Sequence, residues 1–384
     1  MSLSPDEAED LEHWLRLALT PGVGPVGARA LLEQFGLPHA IFESGGGLLD
    51  EVAGGRLASA LRERDAGRER RIAQALEWAR AEHHHLITLA DADYPPMLLR
   101  IADAPPLLYV VGQREALSRP MVAVVGSRNP TAAGVANARA FGFALSRAGW
   151  TVASGLALGV DGAAHDGALE GGAGTVAVVG TGADVVYPSR HRRLAERIAA
   201  HGAIVSELPL GTEPAPGQFP RRNRLIAGMS HGVLVVEAAL HSGSLITARQ
   251  AGEFGREVFA IPGSIHSPLS RGCHALIRQG AVLVGSAEDV LDELPHRHDA
   301  SDPPTRPMSA SAHNEPELLT ERLELPEHDP ILAAVGHEPV LPDTLAAHLG
   351  MAAGDLGARL VVLELAGRLQ RLSDGRVVRP PPVG

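Results

Sequence analysis

Apolar positions between residues 6 and 19 recur at helical spacing, through Leu11, Trp14, Leu15, Ala18 and Leu19, and predict an amphipathic helix. The stretch Thr20-Pro-Gly-Val-Gly then reads as a turn, and a second helix is expected from about Pro25 to Phe35. Another, over about Arg68–Glu82, is expected to end at His83-His84-His85. From residue 121 the pattern changes. Short, almost continuous apolar runs alternate with small-residue helical stretches: Met121–Val125, Trp150–Ala153, Thr175–Val179, Ala203–Val205, Gly232–Val236, Glu257–Ile261 and Ala281–Val284. Such runs lack in–out alternation because both faces of a parallel sheet are covered. The expected fold class is therefore α/β, a Rossmann-like, doubly wound, mostly parallel sheet.

The tail has another rhythm. Helices are expected at Pro330–Val335, Asp343–Leu349 and Ala353–Leu365, followed by a hairpin through Ser373-Asp-Gly375, which is a winged-helix-like order. Four segments result: a helical module of SAM or helix-hairpin-helix type (1–82), the Rossmann-like domain (83–295), a Pro/Ser/His-rich linker (296–328) and the winged-helix-like domain (329–384). The string Gly22-x-Gly24-x-x-Gly27 matches a dinucleotide fingerprint, but a helix precedes it where the fingerprint needs a strand. Its glycine amides could hold one DNA phosphate; a plain packing module is the favoured reading. The third tail helix carries only Arg359 as a cation, which favours partner binding over base reading, while Arg368, Arg371, Arg376 and Arg379 leave phosphate contact open.

Charge changes the picture in one region. The chain carries a formal net charge of −11, yet residues 121–280 hold 14 Arg against 10 Asp and Glu. No lysine occurs, so phosphate contacts fall to Arg, amides and hydroxyls. The single cysteine, Cys273, excludes an internal disulfide and a cysteine-type zinc site. With no apolar run of membrane-spanning length and an acidic start without a signal pattern, a cytoplasmic location is expected.

Ligands of doubly wound sheets bind at the carboxyl ends of strands. Four of the expected strands end there in Gly/Ser/Thr loops: Gly126-Ser127-Arg128, Ser154-Gly155-Leu156-Ala157, Gly180-Thr181-Gly182, and Glu237 leading to Ser242-Gly243-Ser244. Glycine lets an oxyanion reach the backbone, and helix N-termini supply donors, so the set implies a polyanion-binding cleft. Phe219-Pro-Arg-Arg222-Asn223-Arg224 adds guanidiniums, an amide and a ring on which a base can stack, a combination suited to single-stranded nucleic acid. Asp161 and His165, at i and i+4, suit a metal pair or, more commonly, the ordering of a loop. Glu207 and Glu237 are acid/base candidates at strand ends without an activated nucleophile or metal cluster beside them. No phosphate-loop lysine exists, so neither a catalytic residue, a metal nor a cofactor is assigned.

Taken in order, Gly126-Ser-Arg128, Ser154-Gly-Leu-Ala157, Gly-Val-Asp161, Ala-Ala-His165, Gly180-Thr-Gly182 to Tyr187-Pro188, Ser206-Glu207, Phe219 to Arg224, Glu237, Ser242 to Thr247, Pro262-Gly263, Gly272-Cys-His274 and Gln279-Gly-Ala281 closely resemble the DprA/Smf family. The resemblance covers the whole α/β segment. It implies a non-enzymatic, dimeric protein that binds single-stranded DNA and delivers it to RecA recombinase in natural transformation. It implies phosphate contacts from Arg128, Arg222 and Arg224, with amides or hydroxyls from Ser127, Ser154, Gly155, Ser242 and Gly243. Phe219 would be the stacking ring, and Asp161, His165 and Glu237 would order the pocket. A dimer contact is expected near Pro262–Ala281. The competing readings are a phosphoribohydrolase-type nucleotide enzyme, whose Pro-Gly-Gly-x-Gly-Thr loop is missing here, and a nucleotide-sensing adaptor.

Overall fold

The computed structural model describes residues 4–44, 46–294, 329–335, 339–372 and 374–380, so the expected linker at 296–328 lies outside the described residues. Two compact units emerge, Met1–Leu294 and Pro295–Gly384.

The first unit begins with six helices: α1 (Pro5–Leu19), α2 (Pro25–Phe35), α3 (Pro38–Glu43), α4 (Gly46–Ala53), α5 (Gly55–Arg62) and α6 (Ala66–Trp78). Ser4 starts α1 through a reciprocal capping box with Glu7. These helices do not stand apart from the sheet. Trp14, Leu15 and Ile72 share a buried cluster with Leu86, Leu107 and Tyr109. Arg29 of α2 donates to the carbonyls of Ile101 (2.6 Å) and Leu99 (2.8 Å).

α6 ends at Trp78, short of the expected Glu82, and the histidines that follow enter a strand, β1 (His84–Thr88). His84 stacks on Trp78 at 4.3 Å between ring centroids, and His85 Nε2 meets the Gly112 carbonyl at 3.1 Å. β1 pairs antiparallel with β2 (Leu107–Gly112), which pairs antiparallel with β6 below. Neither strand is among the runs expected from the sequence.

The remaining strands are β3 (Met121–Val125), β4 (Thr151–Ser154), β5 (Thr175–Val178), β6 (Ala203–Ser206), β7 (Gly232–Val235), β8 (Glu257–Ala260) and β9 (Val282–Leu283). They alternate with α7 (Ala132–Arg147), α8 (Val160–Gly171), α9 (Arg192–His201), α10 (Gln218–Met229), α11 (Ser244–Glu253) and α12 (Arg271–Arg278), and α13 (Ala287–Glu293) follows β9. The sheet order is β1-β2-β6-β5-β4-β3-β7-β8-β9, and every pair from β6 to β9 is parallel. The doubly wound, mostly parallel sheet is thus present with an antiparallel extension at one edge. Apolar side chains cover both faces, Val125, Val178 and Val235 on one and Val124, Val152 and Leu234 on the other. α7 and α8 pack backbone to backbone, since a Cβ on Gly142 would lie 2.4 Å from the Ala164 carbonyl oxygen. Chain order reverses between β3 and β7, the place where such sheets open a crevice.

The second unit holds α14 (Pro330–Val335), α15 (Pro342–Leu349), α16 (Ala353–Leu365) and a two-stranded ribbon, β10 (Gln370–Arg371) with β11 (Val377–Val378). Its core gathers Ile331, Leu345, Leu356, Leu360, Leu363 and Val377. This is the winged-helix arrangement. Arg359, the lone cation of α16, pairs with Asp329 at 3.2 Å, and Leu365 at the helix end is 85% exposed. No helix among the described residues is long and apolar enough to cross a membrane.

Candidate nucleic-acid interface

A cleft of about 710 Å³ opens at the carboxyl ends of β3 and β7. Its first wall is the loop after β3, where Gly126, Ser127 and Arg128 all line the space. The loop is held from both sides: the Ser127 amide donates to the Glu237 carbonyl at 2.7 Å, and the Val160 amide donates to Ser127 O at 3.1 Å. The Glu237 carboxylate accepts from the Thr131 amide (2.9 Å) and hydroxyl (2.6 Å), and that hydroxyl caps α7. Both Glu237 carboxylate oxygens thereby hold the β3–α7 loop. Arg128 is exposed, its guanidinium 5.4 Å above the Phe219 ring.

The floor comes from the loop after β4 and from α10. Arg222 is 5% exposed, and its Nη1 donates to the carbonyls of Gly155 (2.6 Å) and Val178. Gly155 is required here, because a Cβ would stand 2.5 Å from the Arg222 guanidinium. Burial lowers the Arg222 pKa to about 10, opposed by the charge of Asp161, so the group stays cationic at neutral pH. Burial pushes the Asp161 carboxyl up; Arg222 and the amides of Ala157 and Gly155 oppose it. The amide bonds, 3.1 Å from Gly155 and 3.3 Å from Ala157, fold the loop around this carboxylate. Leu156 between them takes φ +58°, a left-handed conformation uncommon outside glycine.

The opposite rim is the start of α11. The Ser242 and Ser244 hydroxyls meet at 2.7 Å, and Asn223 Nδ2 reaches the Gly243 carbonyl at 3.4 Å, tying α10 to α11. Ala157, Asp161, Phe219, Arg222, Asn223, Ser242, Gly243 and Ser244 all line the cleft. Positive ends of α10 and α11 face it through their first residues, adding to the field of Arg128 and Arg222. Asp161 is the only carboxylate among the described residues that line it, and that group is buried and bonded.

Other expected residues sit elsewhere. Arg224 is buried two positions beyond Arg222, outside the cleft lining, with its fork occupied by Glu207 and by Asp103, whose carbonyl lies 2.9 Å and whose carboxylate 3.3 Å away. The expected phosphate contact at Arg224 would therefore have to be made from outside the cleft lining, by a guanidinium already engaged with Glu207 and Asp103. Burial pushes the Glu207 carboxyl up and Arg224 opposes it, which accounts for the second acid/base candidate. Ser154 is buried, donating to the Val124 carbonyl at 2.6 Å. Gly180 lies against Phe219, Gly182 against Asp184 and Pro209, and Thr181 donates to Val185 O at 2.7 Å; none of the three lines the cleft. His165 does not meet Asp161. Its Nδ1 lies 2.7 Å from the Thr175 hydroxyl, which itself donates to Val152 O, so Nδ1 carries the proton. Burial lowers the His165 pKa to about 3 and keeps the ring neutral.

Tyr187 and His241 line the cleft without having been given a role from the sequence. Tyr187, 48% exposed, leans against Phe219 with centroids 5.8 Å apart, and His241 sits in the turn before Ser242. The Tyr187-Pro188 pair within the recognised motif run is the only signal that pointed near the first.

A family described as DNA recombination-mediator protein A matches residues 85–295, and a DprA winged helix domain matches residues 311–375. Protein Smf of Escherichia coli is 43% identical over 308 residues, covering 80% of this chain and 80% of its own length. DNA processing protein DprA of Streptococcus pneumoniae is 48% identical over 207 residues, 54% of this chain and 73% of its own. The X-ray structure of DprA from Streptococcus pneumoniae superposes with a TM-score of 0.65 at 36% identity, covering 77% of this chain and 100% of that one.

Proposed function

Because the chain belongs to the DNA recombination-mediator protein A family, known as DprA or Smf, we propose that its cleft binds single-stranded DNA with little sequence preference and passes it to RecA recombinase. The observation that carries this reading is the juxtaposition of an exposed Arg128 with the Phe219–Tyr187 ring pair, above a buried Arg222 and with no exposed carboxylate among the described residues of the wall. Guanidiniums and helix N-termini take phosphates, while rings take the faces of unpaired bases, which a duplex hides. The proposed process is association: Arg128, Arg222 and the helix N-termini hold phosphates while the rings hold bases.

The proposed division of labour follows the segments. Residues 83–295 hold DNA, 1–82 brace the sheet, and 329–384 take a protein partner, all in the cytoplasm. A homodimer is proposed through the region Pro262–Ala281, which leads into the edge strand β9 and whose Pro262 and Ile277 line, with Leu240 and Leu283, a second cavity of about 520 Å³. The test is fluorescence-anisotropy binding of a labelled dT oligomer over a salt series. Arg128→Ala should weaken binding and reduce the salt slope by about 0.7. Arg224→Ala should mainly cost stability, about 3–5 kcal/mol for breaking a buried pair, and leave the salt slope of the folded fraction unchanged. A wild-type chain that is folded and does not bind the oligomer would contradict the proposal.

A further inference from the structure

The end of β7 leads into a turn over Ala239–Ser242, closed by the Ser242 amide on the Ala239 carbonyl at 2.9 Å. Its two corner residues part company. Leu240 lines the cavity beside α12, and His241 lines the cleft. The His241 ring is exposed, and among the described residues no hydrogen bond, ion pair or ring contact engages it.

The charged and titratable groups that share the cleft with it are Arg128, Arg222, Tyr187 and Asp161. Asp161 is turned inward onto the Gly155 and Ala157 amides. Across the turn, the neighbouring cavity adds Arg271, His274 and Arg278. The wall beside the imidazole is cationic, and the one carboxylate among the described lining residues is turned away from it. A phosphodiester, anionic across the whole physiological range, supplies the missing partner. Histidine is the side-chain type whose ordinary titration falls between about pH 5 and 8, so a phosphate at that wall converts the ring to a cation at small cost.

Resting on the reading that the cleft holds single-stranded DNA, we infer that His241 is a phosphate contact of the bound strand and that binding takes up a proton there. Arg128 and Arg222 stay protonated throughout this range and bring no pH dependence of their own. The complex then carries more protons than the separated partners, so affinity rises as pH falls.

The experiment is an anisotropy titration of the full chain with a dT oligomer of about 20 nucleotides carrying a pH-insensitive label, at constant ionic strength, from about pH 8 to about pH 5.5. Wild type should tighten about tenfold, the change that corresponds to one unit of pKa gained on binding. His241→Gln should stay at the weak, high-pH affinity across the range, and His241→Arg should be tight and flat. A pH dependence that survives unchanged in His241→Gln overturns this inference alone. Absence of wild-type binding at every pH overturns it together with the reading of the cleft.

Discussion

Arg222 and Arg224 stand two positions apart on α10, and their surroundings give them different work. Both are buried. Arg222 keeps Nε on Asn223 and Nη1 on two carbonyls, leaving Nη2 without a protein partner among the described residues at the floor of the cleft. Arg224 spends its fork on Glu207 and Asp103. His165 supplies a test of how the core beneath the cleft responds to acid. Its folded pKa is lowered to about 3, while an unfolded histidine titrates near pH 6.5, so below about 6.5 the unfolded chain binds a proton that the folded chain refuses. The stability contribution is complete at pH 7 and is lost as pH falls, by about 2 kcal/mol at pH ~5. Urea midpoints at the two pH values should drop further for wild type than for His165→Gln; equal drops would refute the assignment. At this scale, residue type and loop position made Arg128, Phe219, Asn223 and Ser242 legible in advance. The separation of Arg222 from Arg224 was not, because it depends on Asp103, which arrives from a distant loop. Tyr187 and His241 were hidden for a similar reason: each is an exposed loop residue whose meaning comes from what stands opposite.

Elements connect those residues to stability. α1 and α6 press Trp14 and Ile72 onto Leu86, Leu107 and Tyr109, and Arg29 ties α2 to the segment before β2. Deleting residues 1–82 should therefore strip a buried apolar face from the sheet and yield a chain of sharply lower Tm or solubility. Deleting 295–384 should leave the melting of the first unit and its dT affinity nearly unchanged. Equal tolerance of both deletions by thermal melting and anisotropy would contradict this. The parallel strands were the most legible elements, Met121–Val125 residue for residue, because burial on both faces writes an unbroken apolar run. β1 and β2 escaped notice for opposite reasons. β1 opens with two histidines whose partners are a backbone carbonyl and a tryptophan face, so it shows little apolar character. Leu107–Gly112 is apolar enough, but its antiparallel pairing with β6 is a property of the assembled sheet.

Across the whole chain, a net charge of −11 coexists with a cleft in which Asp161, the only carboxylate among the described lining residues, is buried. Under the proposed function, acidic surfaces would repel a polyanion and the cleft would accept it, so that charge distribution would confine the strand more than net charge opposes it. In the proposed scheme the winged-helix unit would be the partner module: α16 has Arg359 tied to Asp329, and Val361, Val362 and Leu365 are exposed. The central claim is one of place, that single-stranded DNA lies on the Phe219–Tyr187 rings beside Arg128. Photocrosslinking of an oligomer containing 5-iodouracil to the full chain, followed by mass-spectrometric mapping of the adducts, tests it most directly. Adducts on Phe219 or Tyr187, lost on competition with unlabelled dT oligomer, are the predicted result. Adducts confined to residues 1–82 or 329–384, with the cleft peptides unmodified, would contradict it.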